Sequence, residues 1–478
     1  MTDFEMVVGI ETHIQLRTRT KLFCGCEVKF AAPPNSVVCP VCLGHPGVLP
    51  VLNRGAFELA MRAALALNCQ IAPFTKFDRK NYYYPDLPKN YQISQYDLPF
   101  SHHGWLEIAG DDGKPKRVGI TRAHLEEDAG KLTHEEKGHR SFVDLNRAGV
   151  PLCEIVSEPD MRSTQEAHGY LTALKEILQY AGISECDMEK GEMRCDLNLS
   201  IRPRGATAFG TRTELKNLNS FKFAKRALEL EYQRHVQTIG RGERIVQSTW
   251  QYDADKDECR MMRSKEEAAD YRYFPEPDLP PVKISSTWID EVRKTLPELP
   301  AAKRERLAKE YGLGEYDARV LSGDRTIADF FEKAAKGHSK PKSIANWVVN
   351  ELARVLNEAK LESRTMKVKP GQLVELLALI DAGTITATSA KEVLAEIAGS
   401  GRPPMDVVRE RGLGIKTDVG AIEAVCDKIL AANAKAVADY RAGKEATLKF
   451  LVGQVMKETK GTVKAPQAEE ILKRKLKA

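Results

Sequence analysis

A chain of 478 residues, 42% hydrophobic and 29% charged, has the composition of a soluble globular protein of two to four domains. It holds no run of about 18 apolar residues and begins with the acidic Met1-Thr2-Asp3-Phe4-Glu5, so neither a transmembrane helix nor an export signal is expected. A cytoplasmic location away from membranes is expected, with the ten cysteines as reduced thiols or metal ligands. The net charge of +5 resides wholly in residues 406–478, which carry 15 Lys/Arg against 10 Asp/Glu; a polyanionic partner and a solvated helical surface explain this equally well.

The first predicted element is a strand over Val7–Leu16. Period-2 alternation puts Glu11, His13 and Gln15 on one face, with Ile10, Thr12, Ile14 and Leu16 on the other. A carboxylate and an imidazole two residues apart can reach one metal, although a solvent-facing strand would show the same pattern. Next come two cysteine pairs, Cys24-Gly25-Cys26 and Cys39-Pro40-Val41-Cys42. Each short spacing puts two thiolates on one ion, and four soft ligands in a tetrahedron suit a structural Zn²⁺ better than unligated surface thiols. Core packing is the expectation for Cys69, Cys153, Cys186, Cys195, Cys259 and Cys426.

Ala56–Leu67 has helical spacing. Asp78–Lys89 reads as one loop of cations, tyrosines and prolines, raw material for stacking a base and holding phosphate. His124-Leu125-Glu126-Glu127-Asp128 is either a solvated turn or a source of hard oxygen ligands for Mg²⁺. Glu154 stands in the apolar run Val150–Val156, so its carboxylate must be paired or cation-bound. A helix is predicted over Thr164–Tyr180, with Ser163 as N-cap and Glu166 at the capping-box position.

A strand over Arg194–Ile201 places Arg194, Asp196, Asn198 and Ser200 on one face. Arg212, Glu214 and Lys216 alternate with Thr211, Thr213 and Leu215. Together these suggest a polar, concave surface, or equally a half-exposed antiparallel sheet. Gly205–Gly210 has the glycine spacing of a P-loop, but Thr211-Arg212 stands where its lysine and hydroxyl should follow. The Pro-rich Phe274–Pro281 closes this region. Short helices follow, among them Ile344–Leu356 and Gln372–Ile380, up to Pro403-Pro404. Three helices are predicted in the tail: Ala421–Tyr440, Thr447–Lys457 and Ala468–Leu476. The expected domains are 1–295, 296–405 and 406–478.

Longer strings carry a resemblance. Val8-Gly9-Ile10-Glu11-Thr12-His13, Lys21–Cys26, Cys39–Gly44, Phe77–Gln95, His124–Lys131, Val143–Pro151, Glu154–Asp160, Met193–Asp196 and Asp270–Leu279 run in order through nearly all of residues 1–280. Phe450–Lys457 adds a tail signature. The chain resembles the GatB/GatE family of tRNA-dependent amidotransferase B subunits. The resemblance implies an α/β cradle domain with a mostly antiparallel sheet, then an all-α helical domain and a small α-helical YqeY-like tail that binds tRNA. It further implies a ligase working beside a glutaminase subunit, GatA, and a small subunit, GatC. A cognate non-discriminating aminoacyl-tRNA synthetase is a further expected partner. ATP and Mg²⁺ would phosphorylate the side-chain carboxylate of Asp-tRNA(Asn) or Glu-tRNA(Gln), and channelled ammonia would form the amide.

By the same resemblance His13, Glu127 and Glu154 are the expected Mg²⁺ ligands, with Glu11 as a further catalytic candidate. Lys89 falls at the ammonia-channel mouth, and Arg194, Asp196, Glu214 and Lys216 are candidates for ATP or acceptor contacts. Lys444, Lys449, Lys457 and Lys460, around the second tail helix, are the candidate tRNA contacts. The alternative is a zinc-containing subunit that binds tRNA without doing chemistry.

Overall fold

The computed structural model describes residues 3–135, 139–264, 271–415, 418–459 and 462–477. The chain divides into two compact units, Met1–Leu299 and Pro300–Ala478.

A nine-stranded sheet organises the first unit. Its strands are β1 (Phe4–Gln15), β2 (Gln70–Ile71), β3 (Ser101–Ala109), β4 (Pro115–Glu127), β5 (Pro151–Ser157), β6 (Met193–Pro203), β7 (Thr213–Lys216), β8 (Ser248–Asp253) and β9 (Glu258–Ser264). Their spatial order is β9-β8-β7-β6-β1-β5-β4-β3-β2. Only β7 and β8 run parallel; the other adjacent pairs are antiparallel. The first strand in sequence is thus central, between β5 and β6.

Alternation decides what each face of β1 meets. Ile10, Thr12, Ile14 and Leu16 are buried, while Glu11, His13 and Gln15 are half-buried on the other side. Helices α1 (Arg54–Ala66), α2 (Thr164–Tyr180) and α3 (Phe221–Gly240) supply Phe57, Tyr170 and Leu228 to the same apolar core as Ile10 and Ile14. With one face given to helices, the other is left to polar side chains.

Local signals explain the helix starts. Asn53 accepts the N–H of Ala56 to cap α1, and small side chains at Ala56, Ala60, Ala63 and Ala64 let the helix bury a face closely. The predicted span of α2 matches, and Ser163 accepts the N–H of Glu166. The reciprocal half of the capping box does not form. The Glu166 carboxylate instead accepts from the Arg162 N–H at 2.7 Å and the Lys116 ammonium at 2.6 Å, a charge-assisted contact stronger than the expected one. Asp78–Lys89 is not a single loop: Asp78–Asn81 forms a strand between Tyr91–Ser94 and Phe274–Pro275.

The second unit is helical. One apolar cluster runs from Leu307 to Leu413 and another from Ile422 to Leu476. Helix Pro404–Arg411 contributes Val407 and Val408 to the first of these clusters. The predicted Ile344–Leu356 helix is a run of Pro341–Asn346, a π turn over Trp347–Leu352, and Ala353–Glu358. Among the described residues the tail has four helices rather than three: Val419–Ala432, Ala434–Arg441, Ala446–Glu458 and Ala465–Lys477. The predicted Ala421–Tyr440 helix breaks at Asn433 (φ −125°, ψ 46°), whose side chain donates to the Ile429 carbonyl at 2.8 Å. That local bond gives the backbone an alternative to the helix. Among the described residues, no helix is long and apolar enough to cross a membrane.

Candidate metal and phosphate site

Register brings the polar residues together. His13 on β1 lies opposite Arg194 on β6 and Glu154 on β5, and Glu154 lies opposite His124 on β4. One row of four side chains therefore crosses four adjacent strands. Glu126, two residues beyond His124, shares its face. His13 Nε2 is 3.3 Å from Glu126 Oε1 and 3.7 Å from Glu154 Oε2, and His124 Nε2 is 3.2 Å from Glu154 Oε2. Ligand atoms of His13, Glu126 and Glu154 all lie within 4.8 Å of one another.

These residues line a cavity of about 700 Å³ on the open face of the sheet. Burial opposes the charge of Glu154, but the adjacent His124, and then His13, hold its carboxyl well below the usual carboxylate range. No Lys or Arg forms an ion pair with Glu126 or Glu154 among the described residues. Two buried carboxylates converging on one imidazole, without a fixed cation between them, fit a divalent ion with hard-oxygen preference.

Glu127 is not part of this group. Successive strand residues face opposite ways, so its carboxylate points away from the cavity, pairs with the Lys89 ammonium and accepts the Ile93 N–H at 2.9 Å. Glu127, expected as a ligand, thus lies apart from His13 and Glu154, and the carboxylate that meets them is that of Glu126. Lys89 is likewise outside the cavity lining. It packs against Gly44, two residues past Cys42: a Cβ built on Gly44 (φ +69°) would lie 2.6 Å from Lys89 Cγ.

The other candidates do line the cavity. Glu11 accepts from Asn198 Nδ2 at 3.0 Å. Arg194 donates to Asp128 Oδ1 at 2.9 Å, and Lys216 pairs with Asp196 and, at 3.1 Å, with Glu214. His124, Lys80 and Arg212, which the sequence offered only within longer polar stretches, are cavity residues, and so is Arg122, which sequence reasoning passed over. Lys80, Arg122 and Arg212 make no ion pair among the described residues, and Lys80 rests over the Tyr271 ring at 4.9 Å. Tyr96 and Tyr273 stack at 4.0 Å and 7° on the same wall. The signal for His124 was its even spacing from Glu126. Nothing in the sequence places Lys80 or Tyr273 opposite the sheet, because the Asp78–Asn81 pairing is long-range. A smaller recess of about 250 Å³ adjoins through Glu11 and Arg212, walled by Val7, Val156, Pro159 and Phe209.

The four cysteines also converge. Their sulfurs lie within 4.8 Å of one another, Cys39 Sγ and Cys42 Sγ are 3.9 Å apart, and the Cys39 N–H donates to Cys42 Sγ at 3.1 Å. Zn–S bonds near 2.3 Å in a tetrahedron give sulfur separations of about 3.8 Å, so the set fits zinc.

In the tail, Lys449 and Lys457 are exposed on the Ala446–Glu458 helix without an ion pair among the described residues. Lys444 is bound to Asp439 at 2.9 Å. Lys460 lies outside the described residues.

Residues 6–290 match a family model described as the GatB/GatE catalytic domain, and residues 329–476 match one described as the GatB domain. The chain is similar over its whole length to curated proteins, each named as the B subunit of an aspartyl/glutamyl-tRNA(Asn/Gln) amidotransferase. That of Carboxydothermus hydrogenoformans is 55% identical, with 100% of this chain and 99% of the relative covered. Those of Geotalea daltonii and Thermoanaerobacter sp. (strain X514) are 53% and 52% identical, with 99% of both chains covered in each case.

Proposed function

Since the chain belongs to the GatB/GatE family, we propose that its first unit activates the side-chain carboxylate of a misacylated Asp-tRNA(Asn) or Glu-tRNA(Gln) with ATP and forms the amide with ammonia from a glutaminase partner. The observation that carries this reading is the convergence of His13, Glu126 and Glu154 beside three cavity cations, Lys80, Arg122 and Arg212, that form no ion pair among the described residues. The partners are subunits of the GatA and GatC kind, the misacylated tRNA and its synthetase.

A carboxylate is a poor acyl donor, and phosphorylation supplies a leaving group. The substrate oxygen attacks the γ-phosphorus, and the bond to the bridging oxygen breaks to give ADP. Ammonia's nitrogen then attacks the acyl carbon, the carbon–oxygen bond to phosphate breaks, and a proton leaves the nitrogen. Catalysis of this kind is mostly positioning and charge neutralisation. Mg²⁺ held by His13, Glu126 and Glu154 would supply the divalent charge at the transferred phosphoryl group. His124 holds Glu154 in place beside His13. Lys80, Arg122 and Arg212 draw the triphosphate in, and the apolar recess against Phe209 and Pro159 takes the nucleoside. Arg194, Asp196, Glu214 and Lys216 form the wall facing the acceptor end, with Arg194 and Lys216 held in position by their acids. Lys89, paired to Glu127, stands where ammonia arrives. Cys24, Cys26, Cys39 and Cys42 hold structural zinc, and the tail lysines meet tRNA phosphates.

A subunit that only delivered tRNA would gain nothing from burying two carboxylates around one imidazole, at a cost of several kcal/mol. Electron paramagnetic resonance of Mn²⁺ tests the site directly. The wild-type chain should bind one Mn²⁺ that Mg²⁺ displaces, and Glu154→Gln should weaken it at least about tenfold. Unchanged Mn²⁺ binding in that variant contradicts the assignment.

A further inference from the structure

Lys21 is buried without a matching acid. The residue is 0% exposed. Burying an unpaired ammonium costs several kcal/mol, so a compensating partner is required. Among the described residues no carboxylate lies within ion-pair reach. The Nζ meets only Cys42 Sγ, at 3.5 Å, and the Leu145 carbonyl, at 3.5 Å.

The backbone of the same residue serves the other cysteine pair. The Lys21 N–H donates to the Cys26 carbonyl at 2.9 Å, closing the turn that carries Cys24 and Cys26. Its own carbonyl is held by Asn53 Nδ2 at 3.2 Å, and the following N–H, of Leu22, donates to Gly149 at 2.8 Å. Gly149 has φ +85°, and a Cβ there would lie 3.6 Å from Lys21 Cδ, 3.7 Å from Cys42 Cβ and 3.9 Å from Glu127 Oε2, a carboxylate whose ion pair is with Lys89. Glycine at 149 leaves the lysine stem room beside Cys42, and backbone bonds hold both ends of the residue. One residue clamps the first cysteine pair through its backbone and touches the second through its ammonium.

Four thiolates on one divalent ion leave two surplus negative charges, and of the four cysteines Cys42, the one that Lys21 touches, is the buried one. A hydrogen-bonded ammonium at the sulfur removes part of that surplus, and partners of this outer kind commonly govern metal retention. We propose that Lys21 is the buried counter-cation of the tetrathiolate centre, a positioning residue that joins the two cysteine pairs and holds the metal. The inference rests on the zinc reading of the four cysteines given above.

The test uses the full-length chain purified without chelator. Its zinc content is measured first, and a chain that binds no zinc ends both readings. With one zinc bound, Lys21→Met, which replaces the ammonium by an uncharged chain of similar reach, should release zinc to a chromophoric chelator about tenfold faster or more. Release at the wild-type rate overturns the counter-cation role and leaves the zinc reading standing. A second variant covers the case in which Lys21→Met does not accumulate as folded protein. Lys21→Gln with Co²⁺ in place of zinc should then shift the thiolate-to-cobalt charge-transfer band to lower energy, since the sulfur loses a charged donor. A packing role alone would leave that band in place, so an unchanged spectrum also overturns the proposal.

Discussion

Glu154 sits where two opposing effects meet. Burial penalises its charge, and His124 and His13 outweigh that penalty. Replacing it by Gln keeps the volume and removes the charge, so amide formation by the assembled complex should fall by about a hundredfold or more. Basal glutaminase turnover by the partner should persist, which a parallel assay of glutamate release checks. A second buried acid gives a purely structural prediction. Burial opposes the charge of Glu231 too, but Arg234 at 2.6 Å and His235 at 3.2 Å pull its pKa down to about 2. A carboxyl whose pKa is lower folded than unfolded stabilises at pH values above its unfolded pKa. It loses that contribution as pH falls toward the folded value. The stability gap between wild type and Glu231→Gln should therefore be constant above about pH 5 and narrow by up to roughly 3 kcal/mol as the medium is acidified toward the folded pKa. Urea unfolding at a series of pH values measures it.

At the scale of the element, the register of β1, β5 and β4 does the selecting. Glu126 and Glu127 are neighbours in sequence and face opposite sides of one strand. Glu126→Gln should lower Mn²⁺ affinity at least about tenfold. Glu127→Gln should leave that affinity within about twofold, because its partner is Lys89 and not His13. Equal losses in both variants, read by the same resonance titration, would show that the strand parity is wrong. Much of this site is legible in the residues alone. The E-x-H alternation, the lone acid in an apolar run and the paired cysteines are local patterns whose chemistry follows from residue type. Strand parity is legible too: His124 and Glu126 share a face that Glu127 does not, although the family motif points to Glu127. What escaped was non-local. Lys80 and Tyr273 reach the cavity only because Asp78–Asn81 pairs with Phe274–Pro275, nearly 200 residues away. In the tail, Asn433 breaks a helix whose apolar spacing runs through it without interruption.

For the molecule as a whole, the two units divide the work: a polar cavity in the first and the net positive charge in the second. Lys449 and Lys457 are exposed cations without an ion pair among the described residues, whereas Lys444 is already held by Asp439. Replacing Lys449 and Lys457 by Ala should weaken tRNA binding and reduce the slope of log affinity against log salt by about one to two, as counterion release predicts. A filter-binding salt titration reads both. Truncation is a sound companion only if it begins after residue 415, because Val407, Val408 and Leu413 belong to the neighbouring apolar cluster. The His13, Glu126 and Glu154 cluster is proposed to serve phosphoryl transfer to the acylated tRNA. The most direct measurement supplies γ-³²P-labelled ATP and misacylated tRNA to the assembled complex, with the amide donor withheld. Wild type should release label only when the misacylated tRNA is present, and His13→Ala and Glu154→Gln should release none above background. Tenfold or smaller loss in both variants, or release that ignores the aminoacyl group, contradicts the account.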